Sequence, residues 1–171
     1  MDQHTLDKYF STHWHSNIDQ YEYSGWALLQ KIKLGESVLD VGCGTNPFRG
    51  CIANLTGIDP AFDSADYKCT IEQFESNIQF NVAFCLGSIN FGSEDIILKQ
   101  IGHVTKLLTP HARIYWRCNP GRQDHGNEHC REIDFFAWTP ELLHQYADQF
   151  GFEVADLQQD SNNRIYCEWV R

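Results

Sequence analysis

The stretch Val38-Leu39-Asp40-Val41-Gly42-Cys43-Gly44-Thr45-Asn46-Pro47 decides the fold of this chain. Residues 37–41 form a short apolar run that breaks abruptly into glycines, which suits a strand buried on both faces. Glycine at positions 42 and 44 lets the chain turn sharply and lets another group approach the backbone without meeting a Cβ atom. Asn46 stands at a capping position and Pro47 in the following first turn, so a short helix over residues 47–54 is expected.

Working outward, residues 55–59 read as a second strand and residues 67–71 as a weaker third. Val82-Ala83-Phe84-Cys85-Leu86 is apolar without alternation, as in a strand covered on both sides. Ser93 is placed to cap a helix whose first turn carries Glu94 and Asp95, with Ile97, Ile101, Val104 and Leu108 at helical spacing and Pro110 just past its end. Residues 112–118 read as the next strand. Thr139 and Pro140 open another helix with Leu142, Leu143, Tyr146, Ala147 and Phe150 on one face, ended by Gly151. Two closing strands, 153–157 and 164–170, flank the polar turn Asp160-Ser161-Asn162-Asn163, a hairpin signature. Upstream, a helix is expected over residues 17–31. Strands separated by helices imply an α/β domain: a doubly wound, mostly parallel sheet with helices on both faces and a C-terminal antiparallel hairpin.

The 171 residues suit one domain, 1–171, with residues 1–33 as an N-terminal segment and 34–171 as the core. Acidic residues number 23 against 13 basic, a net charge of −10, and no basic run is present. That argues against DNA or RNA as a direct partner, because phosphates are neutralised by Lys and Arg. The seven cysteines are odd in number and mostly lie inside apolar runs, which points to free thiols in a reducing compartment. No apolar run reaches the length of a membrane span, and the start of the chain lacks the apolar core of a signal peptide. A cytoplasmic location without membrane attachment is expected.

Asp59 follows Asp40 by nineteen residues, at the end of the second strand. An acid there is placed to accept hydrogen bonds from the hydroxyls of a ribose. Val38-Leu39-Asp40-Val41-Gly42-Cys43-Gly44-Thr45 resembles the first motif of the class I S-adenosylmethionine-dependent methyltransferases, and Gly57-Ile58-Asp59-Pro60 resembles their second. Lys106-Leu107-Leu108-Thr109-Pro110-His111-Ala112 is similar to the family's segment leading into the fifth strand, and Gly151-Phe152-Glu153-Val154 to its entry into the sixth. The resemblance covers residues 17–171 and implies a Rossmann-like sheet of seven strands with S-adenosylmethionine as cofactor. It implies that Asp40, Gly42, Cys43 and Gly44 hold the methionine portion, Asp59 the ribose, and Pro60, Ile71 and Glu72 the adenine. Backbone around Cys85, Leu86 and Gly87 would border the sulfonium. Asn46 departs from the family, which usually has a third glycine there; asparagine tolerates left-handed backbone better than most residues. A dinucleotide reading is disfavoured because Pro47 has no amide hydrogen to offer a pyrophosphate.

Methyl transfer is an in-line displacement that rests on positioning and exclusion of water, so the family has no universal catalytic residue. Acceptor contacts are expected from three places. These are Tyr9, His13, Trp14 and Tyr21 in an N-terminal lid; Ser88 and Asn90 past the fourth strand; and the polar loop 119–131. In that loop His125 or His129 suits a general base near neutral pH, and Arg122 a clamp on an anionic acceptor; a solvated-loop reading of each histidine stands beside this. A zinc reading of His125, His129, Cys130 and Cys118 is disfavoured, since Cys118 lies in a strand and no Cys-x2-Cys is present. The expected activity is therefore methyl transfer to a small-molecule acceptor. The alternatives are a cofactor-binding, non-catalytic subunit serving a partner enzyme, an aminopropyl transferase, or a glycine turn with no ligand.

Overall fold

The computed structural model describes residues 3–15, 18, 21–121, 130, 131 and 133–171. Its centre is a six-stranded sheet. The strands are β1 (Val38–Val41), β2 (Leu55–Ile58), β3 (Phe80–Leu86), β4 (Leu108–Cys118), β5 (Glu153–Gln159) and β6 (Ile165–Val170). Their spatial order is β2-β1-β3-β4-β6-β5. β1 pairs in parallel with β2 and β3, and β3 with β4, while β6 runs antiparallel between β4 and β5. The closing hairpin that the turn chemistry led one to expect is present, and it is its second strand, β6, that joins the sheet beside β4. Asp160 Oδ1 accepts from the amides of Asn162 and Arg164, and Asn163 takes a left-handed φ of 61°.

Strand residues alternate between two apolar clusters, one on each face. Leu39, Ala83, Cys85, Ile114 and Trp116 pack with helices α2 (Glu94–Lys106) and α3 (Pro140–Gln149). Val38, Val82, Phe84 and Tyr115 face Leu28 of a 3-10 helix, Gly25–Lys31, and Phe48. Both faces being covered explains why these strands read as unbroken apolar runs. Thr139 caps α3 by accepting from Leu142 N at 3.2 Å, with Pro140 in the first turn. The Ser93 hydroxyl makes no capping bond; α2 starts instead with the Ile96 and Ile97 amides on the Ser93 carbonyl. Tyr146 then ties α3 to α2 by donating its hydroxyl to Glu94 at 2.6 Å. A further helix, α1 (Gln3–Thr12), crosses the carboxyl ends of the strands, with Tyr9 packed on Phe91, Ile133 and Phe135.

Several expectations are corrected. The seventh strand is absent among the described residues: residues 67–71 supply only an isolated bridge, Ile58↔Tyr67. Asp66 takes over this edge, its carboxylate accepting from the Gly57 amide at 2.8 Å while the Asp66 and Tyr67 amides share the Gly57 carbonyl. The chain then curls into a turn at Thr70, which accepts from Gln73 N and Phe74 N. No helix forms over residues 47–54 either. Gly50, at φ 83°, interrupts the i→i−4 ladder, and what remains are turn bonds onto Asn46 and Phe48. Among the described residues, the expected 17–31 helix is reduced to 3-10 structure at Ile18 and over Gly25–Lys31. Leu108 and Pro110 belong to β4 and not to the end of α2.

Candidate functional site

At the carboxyl ends of β1, β2 and β3 the sheet opens into a cleft of about 450 Å³, within the range of small-molecule sites. Its floor is the glycine turn. The amides of Gly42 and Cys43 both donate to the Ile58 carbonyl, which pulls the turn over the end of β2. Gly42 has φ 68°, and a Cβ there would stand 2.4 Å from Ser88 Cβ, so only glycine fits between the turn and the end of β3. A Cβ on Gly57 would meet Asn46 Nδ2 and Cys43 Sγ, both at 2.9 Å. Asn46 holds the left-handed φ of 56° that its sequence position suggested, with Nδ2 donating to the Ser64 carbonyl at 3.3 Å.

Two acids line this cleft under different constraints. Asp59 accepts from Gly44 N at Oδ2 (2.9 Å) and from Ala61 N and Phe62 N at Oδ1 (2.8 and 3.2 Å). Three of its roughly four acceptor positions are therefore used by backbone, leaving one on Oδ2. Burial raises its pKa, against which the three amides pull. Asp40 is 3% exposed and has no hydrogen-bond or ion-pair partner among the described residues. Burial, then repulsion from Asp59, push its pKa up to about 7, with Arg117 pulling the other way. A carboxylate held this way is an open seat for a cationic donor. Cys43 also lines the cleft, but burial and the neighbouring acids push its thiol up, so it is a neutral wall and not a nucleophile.

Of the residues read from sequence, Asp40, Gly42, Cys43, Gly44, Asp59, Pro60, Ile71, Glu72, Leu86, Gly87 and Ser88 all line the cleft. Glu72 is engaged by Gln100 of α2, which donates to it at 3.1 Å. From the N-terminal segment Tyr9, Trp14 and Tyr21 line it as well. Trp14 leans on the glycine turn, its ring 3.2 Å from where a Gly44 Cβ would be, and lies edge-on to Phe62.

The remaining readings are placed elsewhere. Cys85 is 1% exposed and packs in the core beside Leu39 and Ile114, away from the cleft. Asn90 is fully buried; it accepts from Asn119 N at 2.9 Å and donates to the Arg117 carbonyl at 3.3 Å, stapling the ends of β3 and β4. His13 sits beside Tyr9, ring centroids 6.3 Å apart, and does not line the cleft. His125, His129 and Arg122 lie outside the described residues. Cys130 donates its thiol to the Tyr9 hydroxyl at 3.2 Å, and all seven cysteines are free thiols. Among the described residues no three His, Cys, Asp or Glu side chains come together as metal ligands, and no helix is long and apolar enough to cross a membrane.

Sequence reasoning missed Arg117 and Arg164, which line the cleft from the end of β4 and the start of β6. A signal was present: Arg117 is a charge placed at the carboxyl end of β4, directly after the apolar run Ile114-Tyr115-Trp116. It also missed Phe10, whose ring meets that of Phe91 at 5.4 Å where α1 crosses the cleft.

No protein-family model matches the sequence, and no curated protein matches it. Solved structures do match in fold. The 1,6-didemethyltoxoflavin-N1-methyltransferase of Burkholderia thailandensis, with 1,6-didemethyltoxoflavin and S-adenosylhomocysteine bound, superposes with a TM-score of 0.75 at 16% identity, over 98% of this chain and 88% of that one. The N-methyltransferase NodS of Bradyrhizobium japonicum, in complex with S-adenosylhomocysteine, gives 0.70 at 15% identity, over 98% and 97%. Magnesium protoporphyrin IX methyltransferase of Synechocystis, with S-adenosylmethionine bound, gives 0.69 at 15% identity, over 100% and 98%. The chain has the fold of the class I S-adenosylmethionine-dependent methyltransferases.

Proposed function

We propose that this chain binds S-adenosylmethionine in the cleft and transfers its methyl group to a small-molecule acceptor. The observation that carries the proposal is the convergence of the Gly42–Gly44 turn, the unpartnered Asp40 carboxylate and the amide-fixed Asp59 carboxylate on one cleft. These groups fit the cofactor. The turn leaves its backbone bare where a Cβ would fill the space, Asp40 offers a buried anion to an ammonium, and Asp59 keeps an acceptor position for a ribose hydroxyl. Pro60, Ile71 and Glu72 line the same cleft, and in this reading they receive the adenine.

When bound, the sulfonium supplies an activated methyl carbon to an incoming lone pair. The chain's part is to hold donor and acceptor in line and to keep water out. Tyr9, Phe10 and Trp14 cover the cleft with apolar surface, and Ser88 and Gly87 border it at the end of β3. An amine acceptor needs no enzyme base, whereas a hydroxyl usually does; His125 and His129 are the base candidates for that case. The fold neighbours include enzymes named for small molecules, 1,6-didemethyltoxoflavin and magnesium protoporphyrin IX, which supports a small-molecule acceptor.

Calorimetric titration with S-adenosylmethionine and S-adenosylhomocysteine, beside an Asp59→Ala variant, tests the proposal. Micromolar binding lost in the variant supports it and justifies screening acceptors by release of S-adenosylhomocysteine. A folded protein that binds neither ligand sinks it.

A further inference from the structure

Arg117 stands out among the groups of the cleft that the proposed function leaves idle. It is the β4 residue paired with Leu86 of β3, on the same face of the sheet as Tyr115 and Phe84, and therefore the face that Asp40 shares through its register with Phe84. Its Nη2 donates to the Leu86 carbonyl, and Tyr21 stacks over the guanidinium with its ring centroid 3.9 Å from Cζ. Gly87 has no Cβ, and one there would lie 2.7 Å from Arg117 Nη2, so the end of β3 is cut away to admit the arginine. Among the described residues no carboxylate lies within ion-pair distance of it. Arg164, 5.7 Å from the same Tyr21 ring, adds a second positive charge; its own neighbour Asp160 is 3.9 Å away. A largely buried guanidinium without an anion is costly, and its planar fork matches a carboxylate.

We propose that Arg117, backed by Arg164 and faced by Tyr21, is the carboxylate receptor of the cleft. Asp40 and Arg117 lie on one sheet face with opposite charge, which suits a ligand presenting an ammonium and a carboxylate on one carbon, such as the amino-acid end of the cofactor. A carboxylate on the acceptor presents the same chemistry to the same fork. The inference rests on the cofactor reading only for the first of these sources.

The experiment uses wild type, Arg117→Met and Arg117→Lys, each first shown to be folded by circular dichroism and a cooperative melt. Calorimetry compares S-adenosylhomocysteine with 5′-methylthioadenosine, which keeps the nucleoside and lacks the amino-acid group. Thermal shift compares benzoate with benzamide, in the absence and presence of S-adenosylhomocysteine. If the receptor serves the cofactor, Arg117→Met weakens S-adenosylhomocysteine tenfold or more, leaves 5′-methylthioadenosine unchanged, and Arg117→Lys recovers part of the loss. If it serves the acceptor, S-adenosylhomocysteine binding is unchanged, and benzoate stabilises wild type beyond benzamide but not Arg117→Met. Unchanged S-adenosylhomocysteine binding together with no benzoate advantage in wild type overturns the proposal. Should wild type bind neither nucleoside, the cofactor reading fails, and the benzoate arm still decides whether Arg117 receives carboxylates.

Discussion

The backbone amide of Gly44 donates to Oδ2 of Asp59 at 2.9 Å, so the turn after β1 and the end of β2 are one bonded unit. The same carboxylate gathers the amides of Ala61 and Phe62 through Oδ1. Asp59 thus shapes the cleft before any ligand enters. Its removal should be felt in the free protein as well as in binding, because hydrogen bonds to a charged acceptor contribute about 1.5–3 kcal/mol and leave buried donors stranded when lost.

Asp59→Ala is expected to lower the unfolding free energy by about 2 kcal/mol and to weaken S-adenosylhomocysteine at least tenfold. Urea denaturation and calorimetry on the same samples check this. A variant with unchanged stability would show that the three amides find other acceptors.

Asp40 sets a pH dependence of definite sign. Its folded pKa, about 7, lies above the unfolded carboxyl value of 3.8, so the native state binds more protons between those limits. Stability is therefore greatest below about pH 4 as far as this group is concerned, and declines as pH rises to about 7. At pH 8, Asp40→Asn is expected to be more stable than wild type, on the order of 2–4 kcal/mol. An ammonium-bearing ligand favours the ionised form, so S-adenosylhomocysteine should bind more tightly from pH 6 to pH 8 and release a proton near neutrality. Titrations in two buffers of different ionisation enthalpy measure that proton.

Gly42 and Gly50 separate sterics from backbone preference. Both have positive φ, 68° and 83°, but a Cβ on Gly42 would collide with Ser88 whereas one on Gly50 meets open space. Gly50→Ala is expected to cost about 1 kcal/mol, the left-handed penalty alone. Gly42→Ala is expected to cost roughly 3 kcal/mol, since overpacking adds to it, and to abolish nucleoside binding. Equal costs in chemical denaturation would refute the close approach of the turn to β3.

Trp14 joins α1 to the loop after β2 through edge contacts to Phe10 and Phe62 at 5.7 and 6.0 Å, and its ring lies over Gly44 of the glycine turn. Such aromatic pairs contribute about 0.5–1.5 kcal/mol each. Trp14→Ala is expected to speed tryptic cleavage at the exposed Lys8 several-fold while shifting the main melting transition little. S-adenosylhomocysteine should slow cleavage in wild type and much less in the variant.

The sequence by itself determined the parts of this protein that depend on neighbours along the chain. The mostly apolar runs of β1 and β3, the strand over 112–118, the Thr139–Pro140 start of α3, the hairpin turn at 160–163, the left-handed Asn46 and the spacing of Asp40 and Asp59 at two strand ends were all readable from local pattern and turn chemistry. Where local and tertiary forces competed, the tertiary structure decided. Gly50 broke the expected helix after Pro47, and Asp66 took the hydrogen bonds a third strand would have made. Asn90 was drawn out of the cleft to staple β3 to β4, and Cys85 fell on the core side of its strand. The facing of Arg117 and Asp40 was also a tertiary outcome. It follows from the order β1-β3-β4 and from the register that sets Phe84 beside both Asp40 and Tyr115, relations between distant residues that no local pattern encodes.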